Sequence, residues 1–203
     1  MSQTLTPPHY ALSPLLEQRW SPRAFYNTSL SFEQIGRLLE AMRWSPSCFN
    51  DQPWQVIVGS RDFSPATYET LFNLLVPFNQ TWCEPVPLLL LTVARERFSH
   101  NQAPNPHAQH DVGLATSQLL LQATHMGLAG HCMAGFDIPA SYGALNIPPT
   151  GEYTPMAITA IGYPAPASVL TDSDMREREQ APRQRHPLSD WAFGTHWGNP
   201  FIH

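Results

Sequence analysis

Residues 46–54 read Pro-Ser-Cys-Phe-Asn-Asp-Gln-Pro-Trp, and they mark the point where a helix gives way to a strand. Before this stretch, Ser31 and Gln34 have the spacing of a capping box, and apolar residues recur at helical period as far as Met42. After it, residues 54–59 have the composition of a strand. The polar loop in between contains amide side chains that both donate and accept hydrogen bonds, as recognition of a heterocycle edge requires. The alternative is a turn with local bonding only.

Helical and strand patterns alternate along the rest of the chain. Further helices are predicted to begin at Pro14 and Pro65 and to cover residues 107–126 and 139–145. Further strands are predicted over residues 86–94, 128–134 and 156–162. The 86–94 run is continuously apolar, which indicates a strand buried on both faces, and the 107–126 helix is apolar nearly all round, as a central or dimer-core helix would be. Residues 164–203 show little periodicity, so we expect an extended arm without elements that lies on a neighbouring subunit.

The composition limits the classes of function. The chain has 203 residues, which is typical of a single domain over residues 1–203. Its formal net charge is −5 and it has no basic face in the sequence, which argues against binding nucleic acid. No lysine is present, so every fixed side-chain cation is one of 11 arginines. Schiff-base chemistry and a lysine-containing phosphate loop are therefore excluded.

The compartment is inferred from cysteines and apolar runs. The three cysteines are odd in number and far apart, which favours reduced thiols and a cytoplasmic location. Residues 1–10 lack the pattern of a secretory signal. The longest apolar run, residues 86–94, is too short to span a bilayer, so no membrane partner is expected.

Two arginine clusters stand about 160 positions apart, near the two ends of the chain. The first is Arg19-Trp20-Ser21-Pro22-Arg23, and the second is Arg183-Gln184-Arg185. Strand-like alternation would place Arg19, Ser21 and Arg23 on one side of an extended segment. Guanidinium groups suit phosphate, so both chain ends together are predicted to hold one anionic group. A solvated basic turn is the alternative for the first cluster taken alone.

Residues 130–137, Gly-His-Cys-Met-Ala-Gly-Phe-Asp, end a strand with small side chains. Small residues let the backbone approach a planar ligand closely. No G-x-G-x-x-G motif follows a strand, so a Rossmann dinucleotide site is not supported. His131 is a candidate base here, with a structural histidine as the alternative.

No functional site is predicted from the remaining histidine, cysteine and acidic residues. His107 and His110 would need further ligands from elsewhere to bind a metal, so a solvated loop is favoured and no metal site is predicted. Cys48 or Cys132 would act as a nucleophile only if a neighbouring arginine lowered its pKa. The acidic run over residues 172–179 is interpreted as a solvated turn. No side chain is assigned as catalytic.

Five short motifs, in order, resemble the nitroreductase family of FMN-dependent oxidoreductases over nearly the whole chain. The family motifs are R-x-S-x-[RK], P-S-x-x-N-x-Q-P-W, G-F-D, G-Y-P and P-[KR]-x-R. They correspond here to residues 19–23, 46–54, 135–137, 162–164 and 182–185. Arginine stands where family members often have lysine in the first and last motifs, which keeps the charge.

The resemblance implies an α+β fold, a three-layer α-β-α sandwich with a central, mostly antiparallel sheet. It also implies a homodimer with FMN at the subunit interface and an extended C-terminal arm over residues 164–203. The FMN phosphate would be held by Arg19, Ser21, Arg183 and Arg185. Arg23 would lie by flavin N1 and the C2 carbonyl.

Two further groups of cofactor-binding residues follow from the resemblance. Pro46, Ser47 and Asn50 would reach the FMN of the partner subunit, and Gln52 in the same loop is counted with them. The backbone amides of Ala134 and Gly135 would approach flavin N5. The family's mid-chain loop over the flavin would fall within residues 78–84, where no polar contact is assigned.

The implied activity is reduction of nitroaromatics, quinones or activated alkenes with NADPH or NADH as a transient hydride donor. Hydride would pass through flavin N5 in ping-pong turnover, so no side-chain acid or base is required. Two alternatives stay open: an oxygen-using or flavin-consuming branch of the same fold, and a non-enzymatic flavin carrier or sensor.

Overall fold

The computed structural model of the protein describes residues 10–201. The stretch in which no secretory signal is expected falls almost wholly in residues 1–9, outside the described residues. So do residues 202 and 203, the end of the predicted arm.

A four-stranded sheet forms the centre of the fold. The strands are β1 (Trp54–Ser60), β2 (Leu88–Arg95), β3 (Ala129–Met133) and β4 (Tyr153–Gly162). Their order is β1-β2-β4-β3, and every neighbouring pair is antiparallel. The predicted antiparallel sheet is confirmed, and β2 is buried over its first seven residues as its apolar run predicts.

Seven α-helices lie in the described part of the chain. They are α1 (Pro14–Gln18), α2 (Phe32–Arg43), α3 (Pro65–Leu74), α4 (Pro77–Cys83), α5 (Ala108–His125), α6 (Ile138–Ala144) and α7 (Ser173–Gln180). The predicted capping box begins α2: the Ser31 hydroxyl accepts from the Gln34 N–H, and the Gln34 side chain accepts from the Ser31 N–H. None of these helices is long and apolar enough to cross a membrane.

Alternate residues of β2 separate the core into two layers. Leu88 and Leu90 pack with the apolar faces of α2 and α5, whereas Leu89 and Leu91 pack in the cluster that includes α3 and α4. This division follows from the period of two along a strand. The predicted α-β-α sandwich is confirmed.

Two predictions about helices are wrong. Residues 78–84, expected to form a loop, are mostly helix α4, which begins at Pro77 after the extended residue Val76. Residues 164–203 are not free of elements, because α7 lies within them. Asp172 caps α7 by accepting from the Met175 N–H at 2.8 Å, so the acidic residues 172–179 form a capped helix and not a solvated turn.

The first half of the predicted arm packs on its own chain. Pro164 pairs with Phe25, and the Ala165 N–H donates to the Ala24 carbonyl at 2.9 Å. Leu170 and Met175 are buried in the main core. The tail thus returns to the segment that carries the first arginine cluster.

Candidate functional site

The two arginine clusters meet. The Arg183 guanidinium donates hydrogen bonds to the backbone carbonyls of Glu17 and Arg19. Arg19 also donates to the Ser21 hydroxyl at 3.3 Å. Burial lowers the pKa of Arg19 and Arg185 lowers it further, while burial, Arg19 and Arg185 lower the pKa of Arg183. The repulsion shows that the three guanidinium groups share one region.

This cluster suits an anion. Within residues 10–201, no carboxylate forms a salt bridge with Arg19 or Arg185. An anion bound among adjacent cations offsets their mutual repulsion. Forked guanidinium groups also match the geometry of phosphate oxygens. The residues present therefore fit a phosphate monoester.

Arg23 extends the site towards the interior. Burial alternates over residues 21–24, where Pro22 and Ala24 are buried, Ser21 is exposed and Arg23 is half-buried, but Arg19 and Trp20 are half-buried alike. Arg23 lines a cavity of about 300 Å³ with Trp82. In the described part of the chain, the buried Arg23 Nε and Trp82 Nε1 have no hydrogen-bond partner. Buried donors without an acceptor are costly, so this place suits a ligand that brings acceptors.

The end of β3 offers a backbone edge next to α4. The Gly135 carbonyl accepts from the Val76 N–H at 3.1 Å and from the Asn79 side-chain amide at 3.0 Å. Among the described residues no acceptor is found for the Gly135 N–H. A Cβ on Gly135 would lie 2.9 Å from Asn79 Nδ2 and 3.0 Å from Val76 Cγ2. A larger residue here would require the Asn79 and Val76 side chains to move.

His131, on β3, connects this strand to the first arginine cluster. Its Nδ1 lies 2.9 Å from the Pro22 carbonyl oxygen, so Nδ1 carries the proton. Its ring packs against Trp82 with 4.8 Å between centroids. Burial lowers the pKa of His131, and the Pro22 hydrogen bond only partly opposes this effect. The neutral ring is held in place, in agreement with the structural alternative.

Cys132 does not meet the condition for a nucleophile. The Thr159 hydroxyl donates to its sulfur at 3.4 Å, and Arg19 lies close enough to favour the thiolate. Cys132 is an exposed residue, but desolvation of its sulfur by the surrounding protein outweighs both effects and raises the pKa of the thiol. The group is therefore a thiol near neutral pH.

The 46–54 loop is held by hydrogen bonds within itself. The Ser47 hydroxyl accepts from the Gln52 N–H at 3.0 Å, and the Gln52 side chain donates to the Asn50 carbonyl at 3.1 Å. Pro46, Asn50 and Gln52 are exposed. Phe49, Asn50 and Gln52 have φ between 51° and 55°, the left-handed region that non-glycine residues seldom adopt. The local-turn alternative thus describes the bonding, which includes the Gln52 side-chain amide.

Two buried carboxylates support this loop. Asp51 accepts from the Ser99 N–H at 2.8 Å and from Arg95 at 3.0 Å. Asp111 accepts from the Cys48 N–H at 2.9 Å. The loop's strained backbone is therefore fixed from two directions. Within residues 10–201, no group of His, Cys, Asp or Glu side chains is placed to hold a metal ion.

The structure thus brings Arg19, Ser21, Arg183 and Arg185 together, with Arg23 and the 134–135 backbone connected to them through His131. The loop residues Pro46, Ser47, Asn50 and Gln52 form a separate surface. A larger groove of about 720 Å³ between α2 and α5 contains none of the predicted site residues.

Sequence reasoning missed two supporting residues. Asn79 was left unplaced because α4 was predicted as a loop. Glu179 was grouped with a solvated turn, yet it is buried and accepts hydrogen bonds from backbone amides of the first cluster. Met175 and Glu179 stand four positions apart after the capping residue Asp172, and this spacing was the available signal for a buried helical face.

Comparisons with known proteins show the family of the chain. The sequence model described as the nitroreductase family matches residues 16–163. The chain belongs to the nitroreductase family. The family resemblance inferred from the motifs is thereby confirmed.

Solved structures of nitroreductase-like proteins share the fold. An oxidoreductase containing FMN superposes with a TM-score of 0.87 at 30% identity, covering 98% of this chain and 100% of that chain. A nitroreductase family protein from Clostridium difficile 630 has a TM-score of 0.67 at 20% identity, over 90% of this chain and 96% of its own. This second likeness concerns the fold alone.

One curated relative of this nitroreductase family member comes from Mycolicibacterium smegmatis. It is named an uncharacterized 15.4 kDa protein in the ask 5′ region. The two are 34% identical over 152 residues, which span 71% of this chain and 97% of the relative.

Proposed function

We propose that the protein is an FMN-dependent oxidoreductase that takes reducing equivalents from NADPH or NADH. The observation that carries the proposal is the cluster of Arg19, Arg183 and Arg185, in which neither Arg19 nor Arg185 forms a salt bridge with a carboxylate of residues 10–201. The related oxidoreductase at 30% identity contains FMN. Family membership and the glycine-dependent strand end support the same cofactor.

The arginine cluster would bind the cofactor's phosphate. Arg19, Arg183 and Arg185 supply charge, and the Ser21 hydroxyl supplies a further donor. Charge-assisted hydrogen bonds of this kind contribute about 1.5–3 kcal/mol each. These residues therefore account for retention of FMN rather than for its reactivity.

Arg23 would act on the cofactor's ring. Bound FMN supplies hydride acceptance and onward electron transfer, with negative charge building near N1 and O2. A fixed guanidinium beside that charge stabilises it with little reorganisation. The Gly135 N–H at the end of β3 would donate to the opposite region of the ring, and the absence of a side chain at position 135 leaves room for it.

The acceptors we propose are nitroaromatics, quinones or activated alkenes in ping-pong turnover. His131 is not available as a base through Nδ1, since that nitrogen donates to the Pro22 carbonyl. The protein residues therefore bind, orient and exclude water, while no side chain is needed as the acid or base.

We also propose a homodimer with FMN at the interface. The exposed loop residues Pro46, Asn50 and Gln52, with the half-buried Ser47, would reach the partner's cofactor. The last part of the tail presents the exposed side chains of Trp191, Trp197 and Phe201, which suit burial on a second subunit. A cytoplasmic location remains a prediction.

Anaerobic stopped-flow spectroscopy tests this function. FMN-loaded protein is mixed with NADH or NADPH, and the absorbance of the oxidised flavin is followed. We expect bleaching by at least one donor and reoxidation by a nitro, quinone or enone acceptor. No bleaching with either donor would favour a flavin carrier or sensor. Rapid reoxidation by dioxygen with slow nitro reduction would favour the oxygen-using branch.

A further inference from the structure

The backbone of residues 22–24 is held from two sides by residues far away in the chain. On one side, the Glu179 carboxylate accepts from the Arg23 N–H with both oxygens at 3.0 Å, and Oε1 also accepts from the Ala24 N–H at 3.1 Å. On the other side, His131 donates to the Pro22 carbonyl at 2.9 Å. Three consecutive residues are thus fixed by side chains 156 and 109 positions away.

Glu179 differs from the other acidic residues of α7. It is 4% exposed, whereas its neighbour Glu177 is exposed to solvent. Burial of a carboxylate is costly unless hydrogen bonds compensate. Hydrogen bonds from the backbone N–H groups of Arg23 and Ala24 contribute to that compensation.

The position of Glu179 in the tail connects both arginine clusters. Arg183 and Arg185 follow it by four and six residues. A single carboxylate therefore fixes the backbone of Arg23 and also sets where the tail arginines approach Arg19. His131 adds the connection to the strand that ends at Gly135.

We propose that Glu179 and His131 are positioning residues that clamp the 22–24 backbone and so set Arg23 and the tail arginines for cofactor binding. This proposal rests on the proposed function for its cofactor part. Neither side chain is a catalytic residue, because each acts through the backbone that it holds.

The clamp itself is tested in flavin-free protein by amide hydrogen exchange. Glu179→Ala should speed exchange of the Arg23 and Ala24 amides at least about tenfold, since their acceptor is removed. Glu177→Ala, the matched change on the exposed side of α7, should leave these amides within about twofold of the wild type. Unchanged exchange in Glu179→Ala overturns the clamp, whatever the protein does with flavin.

The cofactor part is tested in FMN-loaded protein. Glu179→Ala should raise the Kd for FMN at least about tenfold, corresponding to 1.4 kcal/mol, and should slow flavin reduction even at saturating FMN. Glu179→Gln, whose Oε1 keeps an acceptor for both amides, should recover most of each loss. Reduction at the wild-type rate in saturated Glu179→Ala overturns positioning of Arg23, and so does a Glu179→Gln variant as impaired as Glu179→Ala. If Glu179→Ala does not fold, Glu179→Asp replaces it with the same expected direction.

A wild-type protein that binds no FMN is a different outcome. It would overturn the proposed function and the cofactor part together, while the exchange experiment would still decide whether the clamp exists.

Discussion

The Asn79 side-chain amide donates to the Gly135 carbonyl at 3.0 Å and so joins α4 to the end of β3. A Cβ added at position 135 would come within 2.9 Å of Asn79 Nδ2, so the Asn79 side chain would have to move. The proposed flavin-facing edge of the protein is therefore built from a helix and a strand end that depend on each other.

Gly135→Ala is expected to lower the free energy of unfolding by about 1–3 kcal/mol, because the new methyl group meets Asn79 and Val76. It should also slow flavin reduction by displacing the strand end. Gly143→Ala, in α6 with nothing within 4 Å of the added Cβ, should raise stability by up to about 1 kcal/mol. Urea unfolding of both variants provides the comparison, and equal effects would contradict the packing argument.

Arg23 and Arg185 are expected to give opposite kinetic patterns. Arg23→Ala should leave FMN partly bound and slow its reduction, since a charge beside the ring is lost. Arg185→Ala should mainly weaken FMN retention, because a phosphate contact is lost. Flavin titration and single-turnover reduction at saturating FMN measure the two effects separately. The reverse pattern would overturn the assignment of these arginines.

His131 should make stability fall in mildly acidic solution. Burial holds its pKa below the usual value of 6.5, so the unfolded chain takes up the proton first as pH falls. The contribution of neutral His131 to the free energy of unfolding is fully present above pH 6.5. Below pH 6.5 it decreases by at most about 1.4 kcal/mol per pH unit. In His131→Asn, which keeps a donor for the Pro22 carbonyl, the decline between pH 7.5 and 5.5 should be shallower. Parallel stability curves for the two proteins would argue against a buried neutral histidine.

Replacement of Asp51 should cause a large loss of stability. Burial opposes its ionisation, but hydrogen bonds from Ser99 and then Arg95 outweigh burial and keep the pKa of Asp51 below its usual range. Asp51→Ala leaves Arg95 without this partner and should lower unfolding stability by about 3–5 kcal/mol. Glu152→Ala, which breaks the half-exposed pair with Arg97, should cost up to about 1 kcal/mol. Chemical denaturation measures the free energy of unfolding of both variants. Similar losses in the two variants would contradict the argument that the buried ion pair matters more than the half-exposed one.

The sequence predicted those parts of the molecule that have strong local signals. The capping box at Ser31, the apolar run of β2 and the two arginine clusters each depend on adjacent or periodic residues, and each was found from them. Helix α4 was not predicted, because residues 77–83 have little helical periodicity. Their sequence is Pro-Phe-Asn-Gln-Thr-Trp-Cys, and Asn79 among them contacts the distant residue Gly135.

The connection between Glu179 and Arg23 could not be predicted from spacing alone. It joins residues 156 positions apart, and only the folded tail brings the carboxylate to those amides. The loop over residues 46–54 is an intermediate case. Its motif was evident, but its left-handed backbone at Phe49, Asn50 and Gln52 is supported by two contacts with distant parts of the chain. Asp51 of the loop accepts from Ser99, and Asp111 of α5 accepts from Cys48 of the loop.

The most direct test of the account is a titration of flavin-free protein with FMN and with riboflavin, followed by quenching of flavin fluorescence. The two ligands share the ring and differ in the phosphate that Arg19, Arg183 and Arg185 are proposed to hold. We predict saturable binding of FMN and at least about 100-fold weaker binding of riboflavin, as loss of several charge-assisted hydrogen bonds requires. Equal affinity for both, or no binding of either, would contradict the central claim.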